Sequence, residues 1–255
     1  MKYFALKDLR TDKGKVSAGQ IFFSDETFGK EEAVEITIAE ERIKKRIKQK
    51  LLPNIVIPHH NRWDLLGACL KSIPMEYKVF VVRDGTFAHG CNQGFKLTKG
   101  KFVIYLNDDV EVSKGGLEEM VESDADIVGS SFIYPNGDFQ MWGVKISWDE
   151  GNKNIYVKKR EQVDYPSGSF FKIRRSLFKE LGGFDEIYQN GAEDRELFMK
   201  AIERGCSFDY VKSPSIHHLS ASEGRTSRIA KNNKIFDKRF PERRIKKIFK
   251  LLAAR

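Results

Sequence analysis

An α/β fold built on a mostly parallel central sheet with flanking helices is what three features of this 255-residue sequence predict. Short apolar runs alternate with helical stretches between residues 54 and 129. The runs are apolar throughout, as in strands covered on both faces. Each is followed at once by polar or acidic residues, and such sheets bind ligands beyond the carboxyl ends of their strands.

The elements follow in order. Residues 1–40 hold three β-runs, Tyr3 to Leu6, Gly19 to Phe23 and Ala33 to Ile38, separated by turn chemistry at Asp12-Lys13-Gly14 and Ser24-Asp25-Glu26. Glu40 to Leu52 is a charged helical stretch that should stop at Pro53. Residues 1–52 therefore read as a small β-rich appendage with a basic helical linker, residues 53–230 as the main domain and residues 231–255 as a basic amphipathic helical tail. In the main domain, Asn54-Ile55-Val56-Ile57 is followed by a helix with Leu65, Leu66, Cys69, Leu70 and Ile73 on one face. Then come Val79 to Val82, a helix around 89–99, Phe102 to Leu106, a helix around 114–123 and Ile127-Val128-Gly129.

Composition narrows the class. The chain is 40% apolar and 32% charged, with no apolar run of membrane-spanning length and no apolar signal core near its start. Three dispersed cysteines, Cys69, Cys91 and Cys206, form no CxxC pair, so a reducing, cytoplasmic setting is expected. The net charge of +9 is unevenly spread. Residues 1–50 carry 12 basic and 9 acidic side chains, residues 231–255 carry 10 and 2, and the body between them carries 23 and 25. A body this close to neutral argues against a nucleic-acid partner.

The strand ends deliver Pro58-His59-His60-Asn61-Arg62, Arg83-Asp84-Gly85 and Asn107-Asp108-Asp109 to one rim. Adjacent carboxylates repel unless a cation or donor group offsets them, and hard divalent ions bind one or two carboxylates while leaving positions for phosphate oxygens. Taken alone, Asp108-Asp109 also fits a solvated turn. Downstream, Glu193-Asp194 opens a helix, where acidic residues suit the macrodipole as readily as catalysis. His217-His218 fits surface, core or ligand roles.

The ordered set resembles the family 2 glycosyltransferases with the GT-A fold, over about residues 54–225. The resemblance rests on Ile55-Val56-Ile57-Pro58 with Asn61-Arg62, on Asn92-Gln93-Gly94-Phe95, and on Tyr105-Leu106-Asn107-Asp108-Asp109. It extends through Ser167-Gly168-Ser169, Gly182-Gly183-Phe184-Asp185, Glu193-Asp194 and His217-His218 to Ser222. It implies that Pro58, His60, Asp84 and Asn92 line the pocket for base and ribose, that Asp108 faces ribose or sugar, and that Asp109 and His217 hold Mn²⁺ or Mg²⁺. Asp194 is implied as the general base of an inverting transfer, with Gly168 and Glu193 on the acceptor side. His60 stands where the family usually has Tyr, and Arg83-Asp84 replaces its acidic pair; both changes touch base recognition.

The activity implied is a metal-dependent, inverting transfer of sugar from a nucleotide-diphosphate donor to a glycan or lipid-linked acceptor. Competing readings are a sugar-1-phosphate nucleotidyltransferase, which would carry a Gly-rich phosphate loop after the first strand, and a non-catalytic carbohydrate- or nucleotide-binding module. In residues 242–255, Ile245, Ile248, Phe249 and Leu252 share a helix face among Arg and Lys. That face either lies on an anionic membrane, placing the protein peripherally at its surface, or docks on the body.

Overall fold

The computed structural model describes residues 2–5, 9–11, 14–16, 21–23, 33–36, 52–83, 85–147, 153–218 and 225–253. At the N-terminus, β1 (Lys2–Ala5) lies between β4 (Ile21–Phe23) and β5 (Ala33–Ile36) in an antiparallel sheet, and β2 (Leu9–Thr11) pairs with β3 (Gly14–Val16). The helix expected from residue 40 falls on residues 40–51, outside the described set.

The main sheet is built from β6 (Asn54–His59), β7 (Val79–Arg83), β8 (Phe102–Leu106), β9 (Val110–Glu111), β10 (Ile127–Ile133), β11 (Phe139–Met141), β14 (Phe170–Arg174) and β15 (Phe208–His217). Its order is β7-β6-β8-β14-β10-β15-β9, with β11 on β10. The sheet is mixed: β7, β6, β8, β10 and β15 point one way, while β14 enters antiparallel between β8 and β10, and β9 runs against β15. This departs from an uninterrupted parallel series, because β14 follows a β-hairpin of β12 (Gly143–Ser147) and β13 (Lys153–Val157) instead of a crossover helix.

Side-chain alternation divides the core between the sheet's two faces. Ile55, Ile57, Ile104, Leu106 and Phe170 join Leu66 and Cys69 of α1 (Trp63–Ser72) and Leu117 and Met120 of α3 (Gly116–Glu122). Val56, Val103, Tyr105, Phe171 and Ile173 face α2 (Phe87–Leu97), α4 (Arg175–Glu180) and α5 (Glu193–Glu203). Gly94 permits the approach of α2 to β6, since a Cβ there would lie 2.2 Å from Val56 Cγ1.

The C-terminal segment shares this second core. Helix α6 (Arg225–Arg239) runs straight through the boundary expected at residues 230 and 231. Phe236 and Phe240, with Ile245 and Ile248 of α7 (Glu242–Ala253), are fully buried. Phe249 and Leu252 pack against the same cluster, and Arg244 forms a paired contact with Glu203 at 2.7 and 2.6 Å. The apolar face proposed for a membrane is thus covered by the body, leaving Arg243, Lys246, Lys247 and Lys250 exposed. Among the described residues no helix is long and apolar enough to cross a membrane.

Candidate active site

Strand direction gathers the chemistry at one rim. The carboxyl ends of β6, β7, β8 and β15 meet there, and the antiparallel β14 brings its amino end to the same place. The seam is closed by Asn107 N, which donates to Ser169 O at 2.7 Å. A cleft of about 730 Å³ opens at this rim. It is lined on one side by Pro58, His60 and Asp108 and on the other by Gly168, Glu193 and Asp194.

Asp194 sits in the first turn of α5, half-buried. Its Oδ2 accepts from Gly168 N at 3.2 Å and its Oδ1 from Arg195 N at 2.8 Å. Gly168 has no room for a side chain, because a Cβ would lie 2.6 Å from both Asp194 Cβ and Oδ2. The approach to α5 is bent: Asn190, Gly191 and Ala192 all have positive φ, of 58°, 148° and 79°. Left-handed backbone at a non-glycine residue costs about 1–2 kcal/mol. Here it is held from three sides. Asn190 Oδ1 accepts from Phe87 N at 2.7 Å, Glu193 Oε2 accepts from Gly191 N at 2.6 Å, and Asn232 of α6 meets Gln189 N at 3.3 Å. Glu193 therefore braces the loop that presents Asp194.

Beneath Asp194, Glu196 forms the centre of a buried network with Tyr188 at 2.6 Å, Lys200 at 2.7 Å and Arg239 at 3.1 Å. Burial alone would raise the Glu196 carboxyl, but the hydrogen bonds from Lys200, Tyr188 and Arg239 hold it below its ordinary value. Burial lowers Arg195, whose guanidinium lies 3.8 Å from the Phe236 ring centre. The C-terminal helices so anchor the helix that carries Asp194.

Pairing of β9 with β15 sets Val110 against His217, and this brings His217 to Asp109. Both side chains are buried, with Nε2 3.7 Å from Oδ1. His217 Nδ1 lies 3.0 Å from Gln140 Oε1, which accepts, so a neutral ring turns its Nε2 lone pair toward the carboxylate. With His217 neutral, its Nε2 and Asp109 Oδ1 are both acceptors and would fit a cation between them. Among the described residues no group of three His, Cys, Asp or Glu converges. A two-ligand protein set suits Mg²⁺ or Mn²⁺, which bind through one or two carboxylates plus phosphate oxygens and water. His218 turns elsewhere, to Glu111 at 2.7 Å.

Asn92, expected to line the pocket for base and ribose, is held by its neighbours. Its Nδ2 donates to Phe184 O at 2.8 Å and Glu186 Oε1 at 2.9 Å, and its Oδ1 accepts from Phe184 N at 3.1 Å. Its amide is engaged in clamping α2 to the 184–186 loop. Asp84 lies outside the described residues.

The sequence reading passed over His59 for its neighbour. His60 is exposed at the cleft, whereas His59 is buried and bonded to Asp108 at 2.6 Å. Period-two alternation from Ile55 and Ile57 carried the signal, since it turns residue 59 inward. Asn190, Gly191 and Arg228 also line the cleft, and only the tertiary fold brings them there.

Residues 78–182 match the profile of Glycosyl transferase family 2. The matched segment runs from β7 past α4 and includes Asp108, Asp109 and Gly168, while Pro58, His60, Glu193, Asp194 and His217 lie outside it. The O-antigen biosynthesis protein RfbC of Myxococcus xanthus is 27% identical over 154 residues, covering 51% of this chain and 12% of that protein. This chain thus spans only a small part of that relative's length. GalNAc-T7, solved with UDP, GalNAc and Mn²⁺, superposes with a TM-score of 0.57 at 20% identity, over 69% of this chain and 45% of its own. TarS 1-349 of S. aureus gives a TM-score of 0.48 at 15% identity, over 66% and 60% of the two chains. The fold is the GT-A glycosyltransferase fold.

Proposed function

We propose that this chain is a metal-dependent, inverting glycosyltransferase that moves a sugar from a nucleotide-diphosphate donor to an acceptor hydroxyl. The observation that carries the reading is the single cleft with Asp108 on its donor side and Asp194, set against Gly168, on the other. An acceptor hydroxyl is a weak nucleophile, and Asp194 is the carboxylate placed to take its proton as oxygen attacks the anomeric carbon. Inversion by single displacement needs one such base and no covalent nucleophile. Pro58 and His60 border the nucleotide, and Asp108 faces its ribose.

Asp109 and His217 would hold Mn²⁺ or Mg²⁺, which supplies charge stabilisation to the departing diphosphate when bound. GalNAc-T7 with UDP and Mn²⁺ supports both the donor class and the ion by analogy of fold. A glycan or lipid-linked acceptor fits the kinship with an O-antigen biosynthesis protein. Peripheral membrane contact by residues 242–255 would use the exposed Arg243, Lys246, Lys247 and Lys250, and liposome co-sedimentation of K246E/K247E/K250E against the parent chain tests it.

The deciding experiment is a panel of nucleotide sugars assayed for slow donor hydrolysis with Mn²⁺, Mg²⁺ or EDTA, alongside Asp194→Asn. One donor turned over only with metal, and bound but not transferred by Asp194→Asn, is the expected result. Equal turnover in EDTA removes the metal assignment, and full transfer by Asp194→Asn removes the base.

A further inference from the structure

His59 is a buried polar group to which the chemistry above gives no task. Its side chain has no exposure, while that of Asp108, at the cleft wall, retains 16%. The 2.6 Å contact joins His59 Nδ1 to Asp108 Oδ2. A carboxylate oxygen accepts, so Nδ1 carries the proton and donates. The ring is fixed on one side by Trp63, at 4.2 Å between centroids and 54° between planes, and the Arg83 guanidinium lies 5.1 Å from the Trp63 ring centre. Among the described residues, His59 Nε2 is buried without a hydrogen-bond partner.

An unsatisfied buried nitrogen is unfavourable, and an apolar side chain would avoid it. The preceding inward positions of β6 are Ile55 and Ile57, so packing alone gives no reason for an imidazole at the third. The contact with Asp108 does. A free carboxylate rotates about its side-chain torsions. One held through a single oxygen presents the other in a fixed direction.

We propose that His59 is a positioning residue for donor recognition: it holds Asp108 by Oδ2 so that the second carboxylate oxygen accepts a hydroxyl of the donor's ribose. The proposal rests on the nucleotide-sugar reading above. The ligand class is a ribonucleoside diphosphate, discriminated from its 2′- or 3′-deoxy counterpart.

The test is calorimetric binding of UDP and GDP, and of their 2′-deoxy and 3′-deoxy forms, to the full chain in Mn²⁺. For whichever base binds, the parent chain is expected to prefer the ribose form over one deoxy form by roughly tenfold, the scale of one hydrogen bond to a charged group. His59→Leu should bring that ratio close to one. His59→Asn, whose amide nitrogen stands where Nδ1 stood, should retain most of it. In an Asp108→Asn background, His59→Leu should change nothing further. Thermal melts establish that each variant is folded. Should His59→Leu not fold, His59→Gln replaces it with the same expectation, since its amide falls at the Nε2 position. An unchanged ratio in folded His59→Leu or His59→Gln overturns the proposal, as does an effect that persists without Asp108. Nucleotide binding that ignores the ribose hydroxyls in the parent chain overturns this proposal and leaves the donor reading standing. No nucleotide binding at all removes the donor reading and this proposal with it.

Discussion

Gly168→Ala adds one methyl group at the point where the two halves of the cleft touch. Its Cβ would fall 2.6 Å from Asp194 Oδ2 and Cβ, and 2.9 Å from Cγ. Carbon contacts settle at about 3.5–4.0 Å, so Asp194 must retreat by about 1 Å or tilt away from the cleft. The retreat also breaks the 3.2 Å hydrogen bond from Gly168 N. Overpacking of this kind costs about 1–3 kcal/mol of stability. Misplacing a reacting group by about 1 Å costs on the order of 10²-fold in rate. The expected result is therefore a modestly lowered melting temperature, unchanged nucleotide binding and a transfer rate down by about two orders of magnitude. The assay pairs initial transfer rates with calorimetric binding. Gly67→Ala serves as control, because a Cβ there meets nothing within 4 Å. A folded Gly168→Ala chain that transfers at the parent rate would refute the idea that Asp194 acts from its seat against Gly168.

Three further outcomes follow from the packing and the charges. Ile248→Ala, at a fully buried position of α7, should lose about 2–5 kcal/mol in chemical denaturation, whereas Lys247→Glu on the exposed face should shift stability by no more than about 0.5 kcal/mol; equal effects would place the helix off the body. Glu196 has a lowered carboxyl, so the unfolded chain takes up its proton first as pH falls; the stability it contributes is present at neutral pH and lost below its ordinary value of 4.5. Arg239→Gln removes one stabilising donor and should flatten the fall of melting temperature on acidification, and an unaltered slope would contradict the network. Burial pushes the Cys69 and Cys91 thiols well up, and Cys206 is also buried, so native protein should react slowly with a thiol reagent at pH 8 and rapidly once unfolded.

The strands of the main sheet were legible because a strand covered on both faces must be apolar throughout, as Ile55-Val56-Ile57 and Phe102 to Leu106 are. From such strands, polar residues at the carboxyl ends mark a rim, and Asp108 and Asp109 were found on that logic. At Asn92 a motif position states residue type and leaves hydrogen-bond partners open. The Phe184 backbone and Glu186, 92 and 94 residues away in sequence, decide what its amide does. His59 and His60 are chemically identical as letters, and only the direction each takes from β6 separates a buried brace from an exposed wall.

What the sequence determined by itself was local: where apolar residues run, where they alternate at helical spacing, and which carboxylates and imidazoles follow a strand. These depend on neighbours within a few residues, and backbone geometry alone converts them into elements. The tertiary structure decided which elements touch. It inserted β14 antiparallel to close Gly168 onto Asp194, set β9 beside β15 so that His217 meets Asp109, and covered the apolar face of α7 with the body. A period-3.6 apolar face records that something must cover it, and burial is non-directional, so the sequence leaves open what does. Only the fold, by supplying a complementary apolar surface within reach, makes that choice.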